Sequence, residues 1–386
     1  MKILSIDPGS TSTKIGVFIH GACLSHRRQA LHPLSAKGGQ AISPFSEDPM
    51  AKGEMIRVGV DHDRQLIGLF RGIHEQEDMR FACIMGELEK QGLGKARFDA
   101  VVGRGGLIRP VSGGVYKVCD ALLSDLKIGV SGSHASNLGG ILARRFAASS
   151  GCEAFIVDPV VVDELDEVAR LSGLAGIERQ SIFHALNQKA VARKVSGVLG
   201  IPYQDARLIV VHMGGGITVG AHKRGRVVDV NNGLNGDGPY AAERSGSLPV
   251  AGILRVLKEG RYTPESLLRV VSGEGGIFSY LGIVDLREVE RRMDDGDAEA
   301  SLAWTGMVYQ IAKEVGSLAA ALDGKVDAIV LTGGMAHSAR IVKAIMKKTA
   351  FIAKGVAVPG EFELEALTDG ALRVLTGREK AKRYGE

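Results

Sequence analysis

The feature that most restricts this chain is a strand, a turn and a strand written twice. Ile3 to Asp7 is an apolar run that meets Pro8-Gly9-Ser10-Thr11-Ser12-Thr13, after which Lys14 to Ile19 turns apolar again. Far downstream, Leu208 to Val211 meets His212-Met213-Gly214-Gly215-Gly216. Ile217 to Ala221 follows, and a Lys223-Arg224-Gly225-Arg226 turn leads into Val227 to Val230. Apolar runs bounded by Gly, Ser and Thr clusters read as hairpin strands. One such unit is commonplace. A second copy at this distance predicts two similar halves facing one another, unlike a solenoid, whose repeats span ~20–50 residues. A ligand cleft between the halves is the expected site.

Between the hairpins, Ala100-Val101-Val102 enters Gly103-Arg104-Gly105-Gly106, and Ala154 to Val157 ends at Asp158-Pro159. Each predicted strand delivers a polar residue at its carboxyl end, where α/β sheets place chemistry. The apolar spacing of Asp163–Leu171, Ile182–Leu199 and Ala303–Leu322 predicts helices. Strands alternating with helices give an α/β class. The stretch from His32 to Glu54, with Pro33, Gly38, Gly39, Pro44, Pro49 and Gly53, reads as a long loop. A chain of 386 residues, 45% hydrophobic, can fill two cores.

Charge and cysteine usage exclude several function classes. The formal charge is +4, with Lys and Arg interspersed among Asp and Glu, so no basic face for nucleic acid is expected. Cys23, Cys83, Cys119 and Cys152 are widely spaced without a CxxC pair, and read as reduced core thiols. No signal peptide precedes the first strand and no window approaches ~18 uninterrupted apolar residues, so a cytoplasmic location without a membrane partner is expected.

The turn Asp7-Pro8-Gly9-Ser10-Thr11-Ser12-Thr13-Lys14 brings small residues together. Backbone N–H groups and hydroxyls can converge there on phosphate oxygens, while Asp7 can reach a metal-bound water. Alone, such a turn is more often only a hairpin. The second turn, Gly214-Gly215-Gly216 after His212, lets only backbone approach a polyphosphate and makes coincidence a poor account of both. Neither matches G-x-x-x-x-G-K-[ST], and no G-x-G-x-x-G opens a helix after the first strand. A third segment, Ala328 to Ala336, is an apolar strand ending in Gly333-Gly334, a pair that can lie flat against a base or ribose. Its plain alternative is a strand followed by a glycine turn.

Two phosphate hairpins and a late T-G-G turn resemble the actin, Hsp70 and sugar-kinase superfamily. Within it, the chain resembles the acetate and butyrate kinase family through Gly103-Arg104-Gly105-Gly106, His134 to Gly139, Phe155 to Val160, Ser181 to Lys189 and Glu243 to Gly246. The H-A-S-N-L-G and F-H-A-L-N-Q-K segments are similar to the butyrate kinase branch, where the acetate kinase branch has L-H-N-P and F-H-G-T-S. The resemblance implies two facing actin-like (ribonuclease H-like) domains, residues 1–158 with 364–386 and residues 159–363. It implies ATP or ADP as nucleotide, Mg²⁺, a small carboxylate substrate and a homo-oligomer, a dimer or larger.

The same resemblance assigns roles. Asp7, Gly9, Ser10, Thr11, Ser12, Lys14, His212, Gly214, Gly215 and Gly216 would face the phosphates, and Gly333 and Gly334 the adenosine. His184 would bind the phosphoryl group in flight, although a lone His opening an apolar helix is more often structural. His134 would line the substrate site. Asp158, Glu363 and Asp7 would approach Mg²⁺, Glu363 being preferred to Glu361 in Pro359-Gly360-Glu361-Phe362-Glu363-Leu364. The alternative role for Asp158 is an N-cap. Asp7 stands where the acetate kinase branch has Asn, which adds a negative charge near the metal.

Elementary chemistry agrees with these roles. A carboxylic acid has a pKa of about 4 and is already ionised at neutral pH, so as a nucleophile it needs no general base. It needs charge compensation against the phosphoryl group, which two guanidinium groups and Mg²⁺ provide. Arg104 and Arg244 are the expected pair, both in Gly- or Ser-rich turns rather than on helical faces where surface salt bridging is the ordinary fate. The competing expectations are an acetate or propionate kinase, and a ligand-binding actin-like ATPase without acyl transfer.

Overall fold

The computed structural model describes residues 1–20 and 53–385. These form two compact units, one of residues 1–20, 53–162 and 362–385, the other of residues 163–361.

The first unit is built on a six-stranded sheet. Strands β1 (Lys2–Pro8), β2 (Ser12–His20) and β3 (Gly53–Asp61) form an antiparallel meander. Strands β4 (Ala100–Arg104) and β6 (Glu153–Val157) continue the sheet from β1 in parallel, and β5 (Val115–Lys117) closes it antiparallel, giving the order β3-β2-β1-β4-β6-β5. Strand β1 is buried from Ile3 to Pro8 because helices cover both its faces. Leu4 and Ile6 join Leu138, Ile141 and Leu142 of the helix Asn137–Ser150 in one core. On the other face, the Ser5 hydroxyl meets that of Thr368 at 2.7 Å, on the helix Glu363–Leu375.

The second unit repeats the plan with five strands in the order β11-β10-β7-β8-β9. Strands β7 (Arg207–Met213), β8 (Ile217–Lys223) and β9 (Arg226–Val230) make the meander, while β10 (Ala328–Gly333) and β11 (Gly355–Pro359) extend it from β7 in parallel. Alternation along β7 sends Ile209, Val211 and Met213 into a core with Trp304, Met307 and Ile311 of the helix Ala298–Ala321. His212 points to the opposite face, where the helix Ala185–Val198 packs. The shared order of meander, then two parallel strands, is the duplication expected of an actin-like α/β fold.

Local chemistry set some boundaries differently from the apolar pattern. The helix Ala298–Ala321 starts ahead of the expected Ala303 because Asp297 accepts from the backbone N–H groups of Glu299 and Ala300, both at 2.9 Å. The helix expected over Asp163–Leu171 reduces to one turn, Glu167–Arg170. Asp163 instead accepts from the Leu165 N–H and grips Arg170 at 2.6 and 2.8 Å, while Asp166 N–H bonds to Val228 O of β9. Short polar side chains that bond nearby backbone compete with helix in this way.

Gly53 and Glu54, expected in a loop, belong to β3; the remainder of that stretch lies outside the described residues. Cys83, Cys119 and Cys152 are free thiols but half-buried rather than core residues, and burial pushes the Cys152 thiol up; Cys23 lies outside the described residues. Among the described residues, no helix is long and apolar enough to cross a membrane.

Candidate active site

In the second unit, the glycine turn between β7 and β8 is closed by Gly214 N–H on Gly216 O at 3.0 Å. Its three glycines differ in what surrounds them. A Cβ on Gly214 would stand 3.4 Å from His212 Nε2 and 3.7 Å from Glu361 Oε1, and one on Gly215 would stand 2.8 Å from Glu243 Oε1. A Cβ on Gly216 would collide with the Arg244 guanidinium, so that arginine lies directly on the turn. Arg244 Nη1 donates to Gly233 O at 2.6 Å. Its Nε is a buried donor without an acceptor among the described residues, the kind of atom that an anionic oxygen satisfies. Burial pushes the Arg244 guanidinium down, opposed by Glu243.

His212 is held in one orientation by its neighbours. Asn187 Nδ2 donates to its Nδ1 at 2.7 Å, which leaves the ring hydrogen of a neutral imidazole on Nε2, the atom nearest Gly214. The ring of His184 stacks on that of His212, and its Nδ1 lies 2.9 Å from Thr218 Oγ1. Gln188 Nε2 donates to the Thr218 hydroxyl at 2.9 Å, and Lys189 forms a buried ion pair with Glu164 at 2.7 Å. The F-H-A-L-N-Q-K run thus places four polar side chains, those of His184, Asn187, Gln188 and Lys189, in contacts around the first turn of its helix. Sequence reading singled out only His184 there, since Asn, Gln and Lys on a helix ordinarily face solvent.

A half-buried cluster backs the loop that carries Gly233. Arg179 donates to Asp229 at 2.8 Å and lies 3.8 Å from Asp237, whose carboxylate also accepts from the Asn232 N–H at 3.0 Å and the Gly238 N–H at 2.8 Å. Burial pushes the Glu314 carboxyl up to about 7, with Asp237 adding to the shift. Gly333 ends β10 with a φ of +89°, and a Cβ there would run into the Met213 carbonyl, so the T-G-G segment needs glycine to pass beside the end of β7. Gly334 opens the short helical turn Gly334–His337.

In the first unit, Gly9, Ser10 and Thr11 form the connection between β1 and β2, which Ser12 opens; Ser10 and Thr11 are exposed, and Lys14 is exposed on β2. Asp7 and Arg104, expected to act separately, form an ion pair at 3.0 Å, with Asp7 almost wholly buried and the arginine side chain 30% exposed. The pairing follows from the sheet, because β1 and β4 are adjacent parallel strands whose carboxyl ends meet. The backbone leaving the G-R-G-G turn is held by Asn137, whose Oδ1 accepts from Leu107 N–H at 2.9 Å and whose Nδ2 donates to Gly132 O at 3.0 Å.

Asp158 adopts a left-handed φ of +36° after β6. It caps no helix; its carboxylate accepts from Gly114 N–H at 2.7 Å. His134 is exposed and accepts at Nδ1 from the Ser136 N–H at 3.2 Å. Glu363 is buried in the first turn of its helix in the first unit, whereas Glu361 belongs to the second unit, beside the glycine turn. Among the described residues, no three His, Cys, Asp or Glu side chains are grouped to hold a metal ion by themselves. A Mg²⁺ ion arriving with phosphates needs only one or two carboxylates, and the buried, oriented Asp158 fits that requirement.

Three solved structures are similar to this chain. Acetate kinase from Porphyromonas gingivalis has a TM-score of 0.71 at 20% identity, over 96% of this chain and 99% of that one. A propionate kinase from Francisella tularensis subsp. tularensis SCHU S4 has 0.66 at 17%, over 95% and 98%. Acetate kinase from Entamoeba histolytica has 0.67 at 14%, over 96% and 99%. These likenesses establish the fold along nearly the whole length. Residues 168–372, more than half of the sequence, match the acetokinase family, and they include His184, His212, the glycine turn, Arg244 and the T-G-G segment. The chain belongs to the acetokinase family.

Proposed function

We propose that this protein transfers the γ-phosphoryl group of ATP to a short-chain carboxylate, butyrate or a branched analogue, by direct in-line displacement. Family membership supports the coarser part of this reading, an ATP-dependent phosphotransferase with a carboxyl group as acceptor. The observation that carries it to these residues is the Arg244 guanidinium lying on Gly216, with a buried Nε donor and the Nε2 hydrogen of His212 at the same turn. Donors fixed before the reaction stabilise charge that develops on the phosphoryl oxygens without reorganising.

In this reading the Gly214–Gly216 turn takes the nucleotide phosphates, and Arg244, His212 and His184 face the phosphoryl group. Arg104 orients the acceptor carboxylate, with Asp7 fixing the guanidinium. Asp158 would hold Mg²⁺, which neutralises phosphate charge when bound; Glu361 stands beside the glycine turn of the second unit. Butyrate is favoured over acetate by the H-A-S-N-L-G and F-H-A-L-N-Q-K segments.

Hydroxylamine trapping of the acyl phosphate tests the reading. Purified protein with ATP and Mg²⁺ is assayed against acetate, propionate, butyrate, isobutyrate and valerate, and the highest kcat/KM is expected on a four-carbon acid. Highest kcat/KM on acetate or propionate would reassign the acceptor. No acyl phosphate from any acid, with ATP still bound, would leave a ligand-binding ATPase.

A further inference from the structure

The turn between β1 and β2 has a guanidinium behind it. Arg80, on the helix Glu77–Lys90, is fully buried, and its partners among the described residues are all neutral. Its Nη1 donates to Gly9 O at 2.9 Å, Ser12 O at 3.3 Å and Thr13 Oγ1 at 3.1 Å, its Nη2 to Ser10 O at 3.2 Å, and its Nε to Gln76 Oε1 at 3.0 Å. The remaining carbonyl of the turn, Thr11 O, accepts from His62 N–H at 2.9 Å. Four successive carbonyls are therefore drawn to the protein side.

Every peptide among the described residues is trans, and in a planar trans peptide the N–H points opposite the carbonyl. Turning the carbonyls of Gly9, Ser10 and Thr11 inward turns the N–H groups of Ser10, Thr11 and Ser12 outward, and successive outward N–H groups make an anion-binding concavity. A buried cation held only by neutral oxygens costs several kcal/mol of desolvation, which a purely structural position avoids by using an apolar side chain. Burial lowers the Arg80 guanidinium to about 10, still above neutral pH, so the charge is present.

We propose that Arg80 is the positioning residue of the first phosphate turn: it locks the N–H groups of residues 10–12 outward and places a positive charge behind them, for the polyphosphate of the nucleotide. The proposal rests on the reading that this turn binds phosphate. The test measures ATP and ADP dissociation constants by calorimetry, and KM for both substrates, on the full chain carrying Arg80→Lys, Arg80→Met or Ser10→Asp. Ser10→Asp sets a carboxylate on the exposed face without touching the Arg80 contacts.

The expected result is folded Arg80→Lys and Arg80→Met proteins whose ATP affinity falls about tenfold or more, a loss worth about 1.4 kcal/mol, while the KM for the carboxylate stays unchanged. In a further variant, Arg80→Ala, added methylguanidine is expected to recover ATP binding, which a merely structural arginine would not link to nucleotide. Unchanged ATP affinity in folded Arg80 variants, with Ser10→Asp weakened, overturns the role of Arg80. Unchanged affinity in Ser10→Asp overturns the placement of phosphate at this turn, and the proposal with it. Failure of both Arg80→Lys and Arg80→Met to fold assigns Arg80 to the core and also overturns it.

Discussion

The imidazole rings of His184 and His212 lie face to face, with centroids 3.8 Å apart and planes 11° from parallel. One ring comes from the residue capping the helix Ala185–Val198 and the other from β7, so the stack fixes the start of that helix against the sheet beside the glycine turn.

Removing one ring should affect the reaction more than the fold. His184→Ala is expected to lower turnover by ~10²–10³-fold, the usual effect of deleting one preorganised donor. Asn187→Leu removes the donor that orients His212 and should lower kcat about tenfold, since a hydrogen bond to a positioned group contributes about 1–1.5 kcal/mol. Steady-state kinetics beside melting curves checks both; equal losses of activity and stability would mark the stack as structural.

The two arginines should separate by substrate. Arg244→Ala is expected to lower kcat by ~10²–10³-fold with ATP binding retained, and Arg104→Ala to raise the KM for the carboxylate as well as lower kcat. Asp7→Asn should reproduce the KM effect of Arg104→Ala in weaker form, because it loosens the ion pair that orients the guanidinium. Initial rates over a grid of ATP and butyrate concentrations distinguish the patterns.

The Lys189–Glu164 pair should govern stability. Both side chains are buried, and removing one partner of a buried pair costs about 3–5 kcal/mol by leaving a charge uncompensated. Lys189→Met is expected to show this loss in denaturant unfolding. Lys189→Met with Glu164→Gln should recover part of it, since the second change removes the stranded charge while Gln can still accept from Val227 N–H.

Glu314 gives stability a pH dependence. Its carboxyl is raised from 4.5 to about 7 in the folded protein by burial and then by Asp237 and Asp229, opposed by Arg179 and Lys313. The folded state holds the proton more tightly than the unfolded chain, so this contribution is complete below 4.5 and is lost as pH rises through about 7. Glu314→Gln is expected to flatten the melting profile between pH 5 and pH 8 and to be more stable than the parent at pH 8 by on the order of 1–3 kcal/mol.

The hairpins, the strand ends at Arg104 and Asp158, and the cores of both sheets were legible because period and punctuation are local properties of sequence. The Asp163–Leu171 segment misled because its apolar spacing said nothing of where Asp163 and Asp166 would find partners. The Asp7–Arg104 ion pair and the stack of His184 on His212 depend on which strands and helices become neighbours, which only the assembled sheets decide. Arg80 was invisible for a related reason. It looks like any arginine on a helix until the first turn is folded against it.

Gly103 and Gly139 touch backbone to backbone: a Cβ on the first would strike the Gly139 carbonyl, and a Cβ on the second the main chain of Arg104. The G-R-G-G and H-A-S-N-L-G signatures are thus opposite sides of a single seam between β4 and the helix Asn137–Ser150. Because the colliding atoms are main chain, no change of side chain on one side makes room for a larger residue on the other. A larger residue at either position requires the strand and the helix to move apart, so the two signatures together express one steric requirement.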